Sequence, residues 1–595
     1  MSKKTQVDEV TLTFDLHELP TAQHRAGLAG LILQIDAMGP KGYRKSEKLV
    51  PIIKKLTATS AEIAFTADSM QGVFDELYAA EPFDQKFPTP KKKKDKEIPY
   101  DDVETTMIQG KEKKLYVYRN AGVRPLVPCL TRHITNGAMA WITLWRRMVW
   151  EILRNEQARA PFKQVASGRP SAVGGEMWRL VSKVFRSNPP VHSKPQDITG
   201  ALMLGAQAAN AESVSFSGRV DQNLLLHFWQ LVVLTYVPQV VSKKDAKVER
   251  LGYVLAIPDV ADLIDFRVEF PEILQDLEAG DSKNTPRNAR IDLPAQAGLE
   301  TLRQLGNRKT HQMLAMGKAA REWGHCVRAV ETYHMFKLGN NVKLLSFSRV
   351  ADRPGLVEDY ERVDKNYRSP LFRAGMLRAL LEQRSWHWGM VDLFAEYPHH
   401  FFLEIEGETP KYLPHFGRDA RALFTAHQQE IEGMSSDEMN HDETVKRLGK
   451  IVRNLVNSYV NRKAAKKLGL DWDNPEHFRI EEKDGKKRKV APDPTKFEDQ
   501  QRRVCADAFL QIRSRHDEEF VSFFANSMLS VPHYFDGKAR DLPFLSQILM
   551  TPPSRDPMAK PAPNRDDIKT LAMLALSAYS FNVRKRTSDQ KGNQS

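Results

Sequence analysis

The sequence predicts an α+β fold, with a large mixed N-terminal region over residues 1–433 followed by a C-terminal α-helical bundle over residues 434–595. Two observations carry this prediction. The chain opens with an alternating strand pattern and then a helix, whereas almost every candidate element after residue 434 has helical periodicity. The length of 595 residues also exceeds the size at which a single hydrophobic core keeps growing, so at least two domains are expected.

The first elements are a strand over residues 10–16 and a helix that opens with Pro20-Thr21 and closes at Gly39. Gly27 and Gly30 lower the helix propensity by about 1 kcal/mol each relative to alanine. We expect them to be tolerated because a neighbouring backbone packs closely against the helix there. The solitary imidazole of His24 is interpreted as a core or hydrogen-bonded group rather than a catalytic one.

Residues 83–99 combine prolines with four successive lysines, and they predict a mobile basic loop near residues 88–98. Its lysines can contact a nucleic-acid backbone or form a solvated charge run. A short strand is expected over residues 115–118, followed by a loop that exposes Arg119, Asn120 and Arg124.

A broadly apolar helix is predicted over residues 138–153, with three indoles at Trp141, Trp145 and Trp150. At helical spacing these side chains are interpreted as core, and a stacking platform for bases is the alternative. Residues 224–241 are also strongly apolar, but polar side chains and a proline interrupt them. They therefore predict a buried element rather than a membrane span.

The middle of the chain predicts a buried strand that ends at Ile257-Pro258, with Asp259 opening a turn or helix. A helix is expected over residues 311–338. The turn Gly339-Asn340-Asn341 then leads into the strand VKLLSFSRV.

The C-terminal bundle is built from four predicted helical stretches. They are a basic helix at 445–470, a stretch at 497–529 with a break near His516, a short helix at 542–550, and a helix at 567–583. The tetrapeptide at 486–489 is predicted to lie in a loop between the first two.

The basic helix carries eight basic residues and no acidic residue. Its apolar residues Val445, Leu448, Val452, Leu455 and Tyr459 recur at the spacing of one buried helix face. Like charges at helical spacing repel, so an external anion is expected, and a phosphate backbone is the common choice. The alternative is a basic surface whose acids come from elsewhere in the fold.

Charge and cysteine content set the cellular context. The chain has 88 basic and 75 acidic residues, for a net charge of +13, which fits a phosphate-rich partner. Its three scattered cysteines lack metal or disulfide spacing, and the N-terminus lacks a secretory signal. A cytoplasmic location is therefore expected.

No catalytic or cofactor motif is recognisable. The best metal-like cluster is His399, His400, Glu404 and Glu406, but it lies along a predicted strand, where neighbouring side chains point to opposite faces. The sequence therefore predicts a non-catalytic protein with no cofactor and no metal.

Four stretches resemble one known family. They are LPTAQHRAGLAGLIL, GYVLAIPDVADL, VRAVETYHMFKLGNNVKLLSF and YRSPLFRAGMLRALL. They resemble the large subunit of type I CRISPR Cascade complexes, particularly the Myxan-subtype branch. The resemblance implies a subunit that bridges the foot of the complex, inspects the protospacer-adjacent motif on duplex DNA and helps to hold the unwound strand.

The resemblance also implies partners. They are a guide crRNA, target double-stranded DNA, the backbone and foot subunits of Cascade, and a separate helicase-nuclease or transposition machinery. It further implies that a small helical subunit can be translated from the same message, and Met434 or Met439 is the predicted start. Gln429-Glu430 can be encoded as CAGGAG, which contains a ribosome-binding core upstream of Met434.

Two groups of candidate site residues follow. We expect the basic helix to grip DNA phosphates without reading sequence, through Lys446, Lys450, Arg453, Arg462, Lys463 and Lys467. Exposed turns of the N-terminal region are the predicted readers of base edges, and they comprise Arg119, Asn120 and Arg124; Asn307, Arg308 and Lys309; and Asn340, Asn341 and Lys343.

Two other function classes remain open. One is a nucleic-acid-processing enzyme whose carboxylates are dispersed along the chain. The other is a basic scaffold on an anionic membrane, which needs bulky aromatic side chains facing lipid. The basic helix offers only Tyr459 for that purpose.

Overall fold

The structure is a computed structural model of the chain. It describes residues 8–39, 46–93, 96–108, 111–134, 139–185, 196–197, 202–205, 217–277, 285–315, 326–339, 341–405, 415–432, 440–483, 486–532, 534–536, 538, 540–554 and 562–592. Side chains in parts of some of these elements lie outside the description. The predicted α+β class is confirmed by mixed sheets and many helices.

The chain folds into two compact units. The N-terminal unit comprises Met1–Pro238 and Arg250–Val357, and the C-terminal unit comprises Gln239–Glu249 and Glu358–Ser595. Residues 358–433, which the sequence assigned to the N-terminal region, therefore group with the helical unit. The difference arises because one helix of this segment, Phe416–Glu430, packs on the last helix of the chain, and a second, Pro370–Leu381, packs on Phe416–Glu430.

Strands dominate the first part of the chain. They are β1 (Val10–Asp15), β2 (Ile52–Leu56), β3 (Ser60–Phe65), β4 (Ala80–Phe87), β5 (Lys92–Lys93), β6 (Lys96–Glu97), β7 (Asp102–Ile108), β8 (Lys111–Pro125), β9 (Gln196–Asp197), β10 (Ser217–Gly218), β11 (Leu234–Val241), β12 (Val248–Arg250), β13 (Tyr253–Val260), β14 (Arg290–Ile291), β15 (Val327–Leu338) and β16 (Asn341–Ala351).

The helices between these strands are α1 (Ala22–Met38), α2 (Ala67–Leu77), α3 (Pro128–Thr131), α4 (Met139–Arg147), α5 (Glu156–Ala166), α6 (Ala172–Phe185), α7 (Val220–Leu225), α8 (Leu263–Asp276) and α9 (Gln296–Ala315). A π-helical turn, Met148–Ile152, continues α4.

Three sheets organise the N-terminal unit. The first has strand order β1-β3-β2, and the second has order β4-β8-β7. The largest contains β11, β13, β15 and β16 in that order, with β14 parallel to β11. Its strands β13, β15 and β16 are antiparallel neighbours.

The predicted strand and helix at the start of the chain are confirmed as β1 and α1. Thr21 caps α1 by accepting a hydrogen bond from the His24 N–H. A Cβ atom at Gly27 or Gly30 would overlap the carbonyl oxygen of Leu225 or Phe228. The expected close backbone approach therefore exists, and it explains why these two helix positions are glycine.

His24 is a buried structural residue, as the sequence suggested. Its Nδ1 lies 2.7 Å from the Thr21 hydroxyl oxygen. Burial, together with the neighbouring Arg25 charge, lowers the pKa of His24 to about 4. The imidazole is therefore neutral at physiological pH.

The core interpretation of the indoles is confirmed for Trp141 and Trp145 on α4, whereas Trp150, in the π-helical turn that follows, is half-buried. Trp141 and Trp145 are buried, and the Trp145 indole N–H donates to the Gln230 carbonyl at 2.7 Å. Trp150 donates to the Val123 carbonyl at 3.2 Å. A side chain that packs in the core cannot stack on a base.

Two predictions in the middle of the chain are wrong. The predicted strand does not end at Pro258 but continues to Val260 as β13. On the side that faces β11, the pairing stops at Ala256, so Pro258 has no partner strand on that side. Proline is tolerated at such an edge because its missing N–H removes no ladder bond on that side. Asp262, rather than Asp259, caps the following helix by accepting from the N–H groups of Ile264 and Asp265.

The predicted helix over residues 311–338 is wrong in its second half. Helix α9 ends at Ala315, and β15 begins at Val327. The first residues of β15 are covered on both faces, so their apolar positions run together and mimic helical spacing. The predicted strand VKLLSFSRV is confirmed as part of β16, while Asn340 of the predicted turn lies outside the described residues.

Two further N-terminal predictions need correction. The predicted basic loop at 88–98 contains the short paired strands β5 and β6, and Lys91 lies over the rings of Phe87 and Tyr118. The predicted strand at 115–118 is the centre of β8, which extends through the expected loop to Pro125.

The C-terminal unit is mainly helical. Its elements are α10 (Leu356–Asn366), α11 (Pro370–Leu381), α12 (Val391–Glu396), α13 (Phe416–Glu430), α14 (His441–Lys467), β17 (Arg479–Lys483), β18 (Lys486–Val490), α15 (Pro494–Ser514), α16 (Asp517–Phe524), α17 (Asp541–Met550) and α18 (Arg565–Gly592). Helix α10 begins at the boundary between the two units.

Helix α18 forms the centre of this bundle, with α13, α14 and α15 packed around it. Gly417 of α13 allows the close approach, since a Cβ atom there would overlap the Ser577 carbonyl oxygen. Rings of Phe394, Phe402 and Phe509 pack nearby in the core. The predicted helix break near His516 separates α15 from α16.

Two predictions in this unit are wrong. Residues 486–489 belong to the hairpin of β17 and β18 rather than to a loop. The predicted strand around 401–405 is instead a 3-10 turn, His399–Phe401, followed by irregular backbone. Its side chains Phe401 and Phe402 are buried in the helical core, so the apolar run does not mark a strand.

Residues 224–241 form the end of α7, a 3-10 turn and β11, and most of their side chains are buried. Across the residues that the structure describes, none of the helices is long and apolar enough to span a bilayer.

Candidate nucleic-acid interface

Helix α14 contains the predicted basic helix, and its local sequence sets where it begins. Asn440 accepts a hydrogen bond from the Glu443 N–H, and the Glu443 carboxylate accepts from the Asn440 N–H. This reciprocal pair is a capping box. Asn440 therefore caps the helix.

The predicted apolar face of α14 is confirmed. Val445, Leu448, Val452 and Leu455 are almost fully buried, and Tyr459 retains an exposure of 9%. This face packs on α18. The helix is therefore fixed in one rotation, and its basic side chains flank the buried stripe.

Four of the eight cations have carboxylate partners. Lys446 lies 2.7 Å from Asp442 and 2.9 Å from Glu430, and Arg447 lies 3.6 Å from Asp541. Arg462 pairs with Asp473, and Lys467 lies 3.1 Å from Asp507. Most of these acids come from elsewhere in the fold, which is the alternative that the sequence left open.

Lys446 shows how firmly such a cation is held. Its side chain is 17% exposed. Burial alone would lower the pKa of Lys446, but the hydrogen bonds with Asp442 and Glu430 outweigh burial and raise it. Its charge is therefore neutralised within the protein, and a phosphate would compete with two carboxylates.

The other four cations differ. Among the described residues, no carboxylate lies within ion-pair distance of Lys450, Arg453, Lys463 or Lys466. Arg453 is the most enclosed of them, and its guanidinium lies 5.6 Å from the centre of the Phe424 ring. Burial lowers the pKa of Arg453, and the nearby Arg421 charge lowers it further. Two guanidinium groups thus lie close together on α13 and α14.

Burial and the neighbouring positive charge both disfavour the charged form of Arg453. A partly desolvated cation beside a like charge gains stability when an anion approaches. Arginine suits phosphate because its planar fork can bind two oxygens at once. Lys450, Arg453, Lys463 and Lys466, a set of cations called the unpaired basic surface below, therefore have the chemistry of phosphate-backbone contacts. Lys466 and Arg421 were not among the predicted contacts.

Two basic residues of the β17–β18 hairpin, Arg488 and Lys489, have partners within the C-terminal unit. Arg488 lies 3.6 Å from Glu498. Lys489 donates to the Trp472 carbonyl at 2.5 Å and lies 5.1 Å from the centre of its ring. These two cations stabilise the hairpin.

The first group of predicted base readers lies on a bulge of β8 rather than on a loop. Asn120 has a positive φ of 50°, and its N–H donates to Asp84 at 2.9 Å. Arg119 donates its N–H to Asp101 at 2.7 Å. These two carboxylates hold the bulge, and the Asn120 side chain is exposed.

Arg124, the third member of this group, is engaged at the end of β8. Its guanidinium lies 2.7 Å from Glu81 and 5.9 Å from the Phe83 ring centre. The Arg119 guanidinium makes a longer and more exposed pair with Asp102, at 3.6 Å. Of the three residues in this group, Asn120 is therefore the one whose polar side chain is exposed to solvent by a strained backbone conformation.

The other two groups are placed differently from the prediction. Asn307, Arg308 and Lys309 lie within helix α9 and not at a turn. Asn341 and Lys343 belong to β16, opposite Leu338 and Phe336, while Asn340 lies outside the described residues. Lys343 follows the tip of a long hairpin.

The metal-like cluster does not form a metal site among the residues that the structure describes. Glu404 binds His415, with 2.6 Å between its carboxylate and the imidazole Nδ1. Glu406 lies outside the described residues.

One functional-looking cluster has no counterpart in the sequence predictions. Asp259 is fully buried and accepts from the Arg25 Nε and the Arg349 Nη2, each at 2.5 Å. Glu331 extends the cluster from β15, at 3.3 Å from Arg349. Because these residues are far apart in sequence, spacing carried no signal of them. The cluster ties α1 to three neighbouring strands.

Comparison with protein families gives two matches. The Type I-B CRISPR Cas8b N-terminal domain matches residues 50–315, and the Type I-B CRISPR Cas8b C-terminal domain matches residues 327–579. A search of curated proteins found no match. The matches confirm the resemblance to the Cascade large subunit and give its type as I-B, while the Myxan-subtype branch stays a prediction. The chain therefore belongs to the Cas8b family, the large subunit of the type I-B CRISPR Cascade complex.

Proposed function

We propose that this subunit recognises the protospacer-adjacent motif on duplex DNA and stabilises the displaced non-target strand. Membership in Cas8b places the chain in a complex with other Cascade subunits and crRNA. Within such a complex, base pairing to the guide reads the target sequence, so the protein needs only short motif contacts and backbone contacts.

The observation that carries the strand-holding role is the unpaired basic surface of α14. Phosphate contacts need cations that are not already neutralised. Lys450, Arg453 and Lys463 meet this condition, and Lys466 extends the surface. Lys446, Arg462 and Lys467 are weaker candidates because carboxylates already hold them.

We also propose that the chain is not catalytic and leaves cleavage to a helicase-nuclease, with a transposition machinery as the alternative partner. A nucleic-acid-processing enzyme is the second candidate function. Metal-dependent cleavage of labelled DNA by the purified chain, abolished by a carboxylate substitution, would favour the enzyme.

The test of the main proposal is an assembled Cascade with and without this subunit. The target duplexes differ only in the motif, and permanganate reactivity of thymines reports unwinding of the displaced strand. We expect omission of the subunit to remove motif discrimination and to reduce unwinding. Equal discrimination in both complexes would contradict the proposal.

Asn120 is the first residue to change in a search for the motif reader. Asn120→Gly keeps the positive φ of the bulge but removes the side-chain amide. If the amide contacts a base edge, motif preference should change by about 1–3 kcal/mol. A phosphate contact would instead weaken binding to all sequences alike.

The other two groups of predicted base readers are tested in the same way. Alanine replaces Asn307, Arg308 and Lys309 in one variant, and Asn340, Asn341 and Lys343 in another. Binding constants for duplexes with each motif are measured by competition. If Asn120→Gly and both alanine variants leave motif preference unchanged, the residues that read the motif lie elsewhere in the chain.

A separate small subunit translated from Met434 or Met439 is part of the same proposal. Both methionines lie outside the described residues. Helix α14 begins at His441, so either start yields a product that contains α14 to α18 entire. The product lacks α13, and it therefore exposes the face of α18 on which Gly417 packs. Such a product needs a neighbouring subunit to cover that face.

Expression of the gene with a C-terminal tag tests this start. We expect a second tagged product that ends at Ser595, and its loss when the Met434 and Met439 codons are changed together. A short product that persists after both changes, or none from the unaltered gene, would reject it.

A further inference from the structure

Strand β16 lies at one end of the largest sheet, and its neighbour among the described strands is β15. It runs over Asn341–Ala351, which is about twice the usual strand length. In an antiparallel ladder, every second residue of an edge strand points its N–H and C=O away from the neighbouring strand. A long row of backbone donors and acceptors therefore lies along the outer side of β16.

The exposed side chains of β16 are mainly apolar. Five consecutive residues, 343–347, are exposed. Three of them are large and apolar: Leu344 and Leu345 are each 44% exposed, and Phe347 is 51% exposed. Because successive side chains of a strand point to opposite faces, an unbroken exposed run indicates that this part of β16 is open to solvent on both faces.

The pairing register places two of these apolar side chains on one face. Phe347 lies opposite Tyr333, with 5.0 Å between the ring centroids, and Leu344 lies opposite Met335. Tyr333 and Met335 are two residues apart on β15, so they share a face of the sheet. Leu345 is the extra residue at the bulge between these two pairs. Phe347 and Leu344 therefore form an apolar patch on one face at the edge of the sheet.

This edge lacks the protection that natural proteins give to open strands. They usually place charged side chains there, lysine above all. The edge strands β2 and β7 follow this rule, because β2 carries Lys54 and Lys55 and β7 carries Glu104. Residues 344–347 read Leu-Leu-Ser-Phe and carry no charge. A long apolar edge of this kind is a site for pairing with another polypeptide.

The tip of the β15–β16 hairpin sets the charge that a partner should carry. Residues 337–343 include Lys337 and Lys343 and no acidic residue, and both lysines are exposed. A carboxylate on the partner is therefore favourable at this end. A second copy of β16 would add only positive charges, from Lys343 and Arg349. A nucleic acid would suit the lysines, but two of the three exposed apolar side chains are leucines, on which bases do not stack as they do on aromatic rings.

We propose that β16 accepts an extended strand from another protein of the Cascade complex. The strand pairs with the outward N–H and C=O groups of β16, places apolar side chains against Leu344 and Phe347, and carries a carboxylate near Lys343. Addition of a strand to a sheet edge takes its affinity from backbone hydrogen bonds and its specificity from alternate side chains. Membership in Cas8b supplies partner proteins, and such pairing needs none of the DNA contacts proposed above.

Hydrogen–deuterium exchange of the full chain, alone and in the assembled complex without target DNA, tests this pairing. Fragmentation that resolves single amides is used, because a partner strand protects only every second residue of β16. We expect the outward amides of residues 342–349 to exchange at least about tenfold more slowly in the complex. The inward amides, which bond to β15, should change little.

The exchange pattern also identifies other occupants. Unchanged exchange of β16 on assembly would overturn the proposal. Protection that rises with the concentration of the chain alone would assign the edge to a second copy. Protection that appears only when DNA is added would assign it to nucleic acid. Either of these results would also overturn the proposal.

A double substitution on β16 provides the protein-side test. Leu344→Lys with Phe347→Lys places two charges on the patch. Binding of this full-length variant to a Cascade assembled without the subunit should weaken by about tenfold or more. The matched control is Val103→Lys with Met107→Lys, which adds the same charge to exposed apolar positions of the edge strand β7. The control should bind like the unaltered chain.

Equal weakening in both variants would show a general effect of added charge and would reject β16 as the binding edge. Urea denaturation checks that both variants fold, since Phe347 contacts the Tyr333 ring. If the β16 variant does not fold, the exchange measurement on the unaltered chain decides. Both measurements are made without target DNA, so their failure leaves the salt dependence of strand binding untouched.

Discussion

Replacement of Asp259 by alanine is expected to destabilise the N-terminal unit by about 3–5 kcal/mol, the cost of removing one partner from a buried ion pair. The carboxylate is 1% exposed and holds two arginines, and the Arg25 side chain is 13% exposed. Without Asp259, Arg25 remains a nearly buried charge with the Leu19 carbonyl as a neutral acceptor. The loss is therefore larger than for an exposed pair.

Urea denaturation followed by tryptophan fluorescence measures this loss. The matched control is Glu104→Ala, which removes an ion pair with Lys86 at the surface. The Lys86 side chain is 43% exposed and the Glu104 side chain is 47% exposed. The control substitution should lower the free energy of unfolding by less than about 1 kcal/mol. Equal effects of the two substitutions would show that the buried cluster contributes no more than a surface pair.

The pH dependence of the Asp259 contribution has a definite sign. Burial alone would raise the pKa of Asp259, but the hydrogen bonds from Arg25 and Arg349 outweigh it and lower the pKa. The stabilisation is therefore complete above the unfolded-state pKa of about 3.9. It is lost as pH falls through the lower folded-state pKa. The Asp259→Ala variant should lack this component of acid sensitivity.

Local patterns predicted the parts of this fold that local physics determines. The start of α1 follows from Thr21, and the buried face of α14 follows from the spacing of its apolar residues. Gly27 and Gly30 were read as close-contact sites because their low helix propensity needs a tertiary reason. Each of these inferences uses residues within one element, and each is confirmed.

Patterns failed where tertiary contacts determine the outcome. The residues of β15 are buried on both faces at its start, so their spacing fits a helix as well as a strand. The sequence predicts a strand end at Pro258 because it does not reveal which edge of β13 lacks a partner there. It predicts a turn at Asp259 because the arginine partners of this residue come from α1 and β16, far away in the chain.

At the candidate interface, too, the sequence predicted what one element determines and missed what tertiary contacts determine. The sequence identified a helix with one sign of charge, but it could not show which cations have partners. Asp473 lies shortly after the end of α14 in the sequence, and Asp507 lies much further along the chain. Both carboxylates reach α14 only in the folded bundle. The predicted set of six therefore separates into paired cations and an unpaired remainder that also includes Lys466.

That separation leads to the second prediction with a large expected effect. Alanine at Lys450, Arg453, Lys463 and Lys466 should flatten the salt dependence of single-stranded DNA binding by the full chain. Each single-strand phosphate contact contributes about −0.7 to the slope of log K against log salt, so four contacts contribute about −2.8. Fluorescence anisotropy with labelled DNA at several salt concentrations measures the slope.

A second quadruple variant removes the same formal charge from the paired cations Lys446, Arg447, Arg462 and Lys467. If the strand binds through the unpaired basic surface, this control should retain most of the slope, because its four cations contact carboxylates rather than phosphates. General attraction to a positively charged protein would instead weaken both variants alike. An unchanged slope in the first variant would remove α14 as the strand-binding element. A selective loss would show that Lys450, Arg453, Lys463 and Lys466 bind the phosphates of the strand in preference to the paired cations of α14.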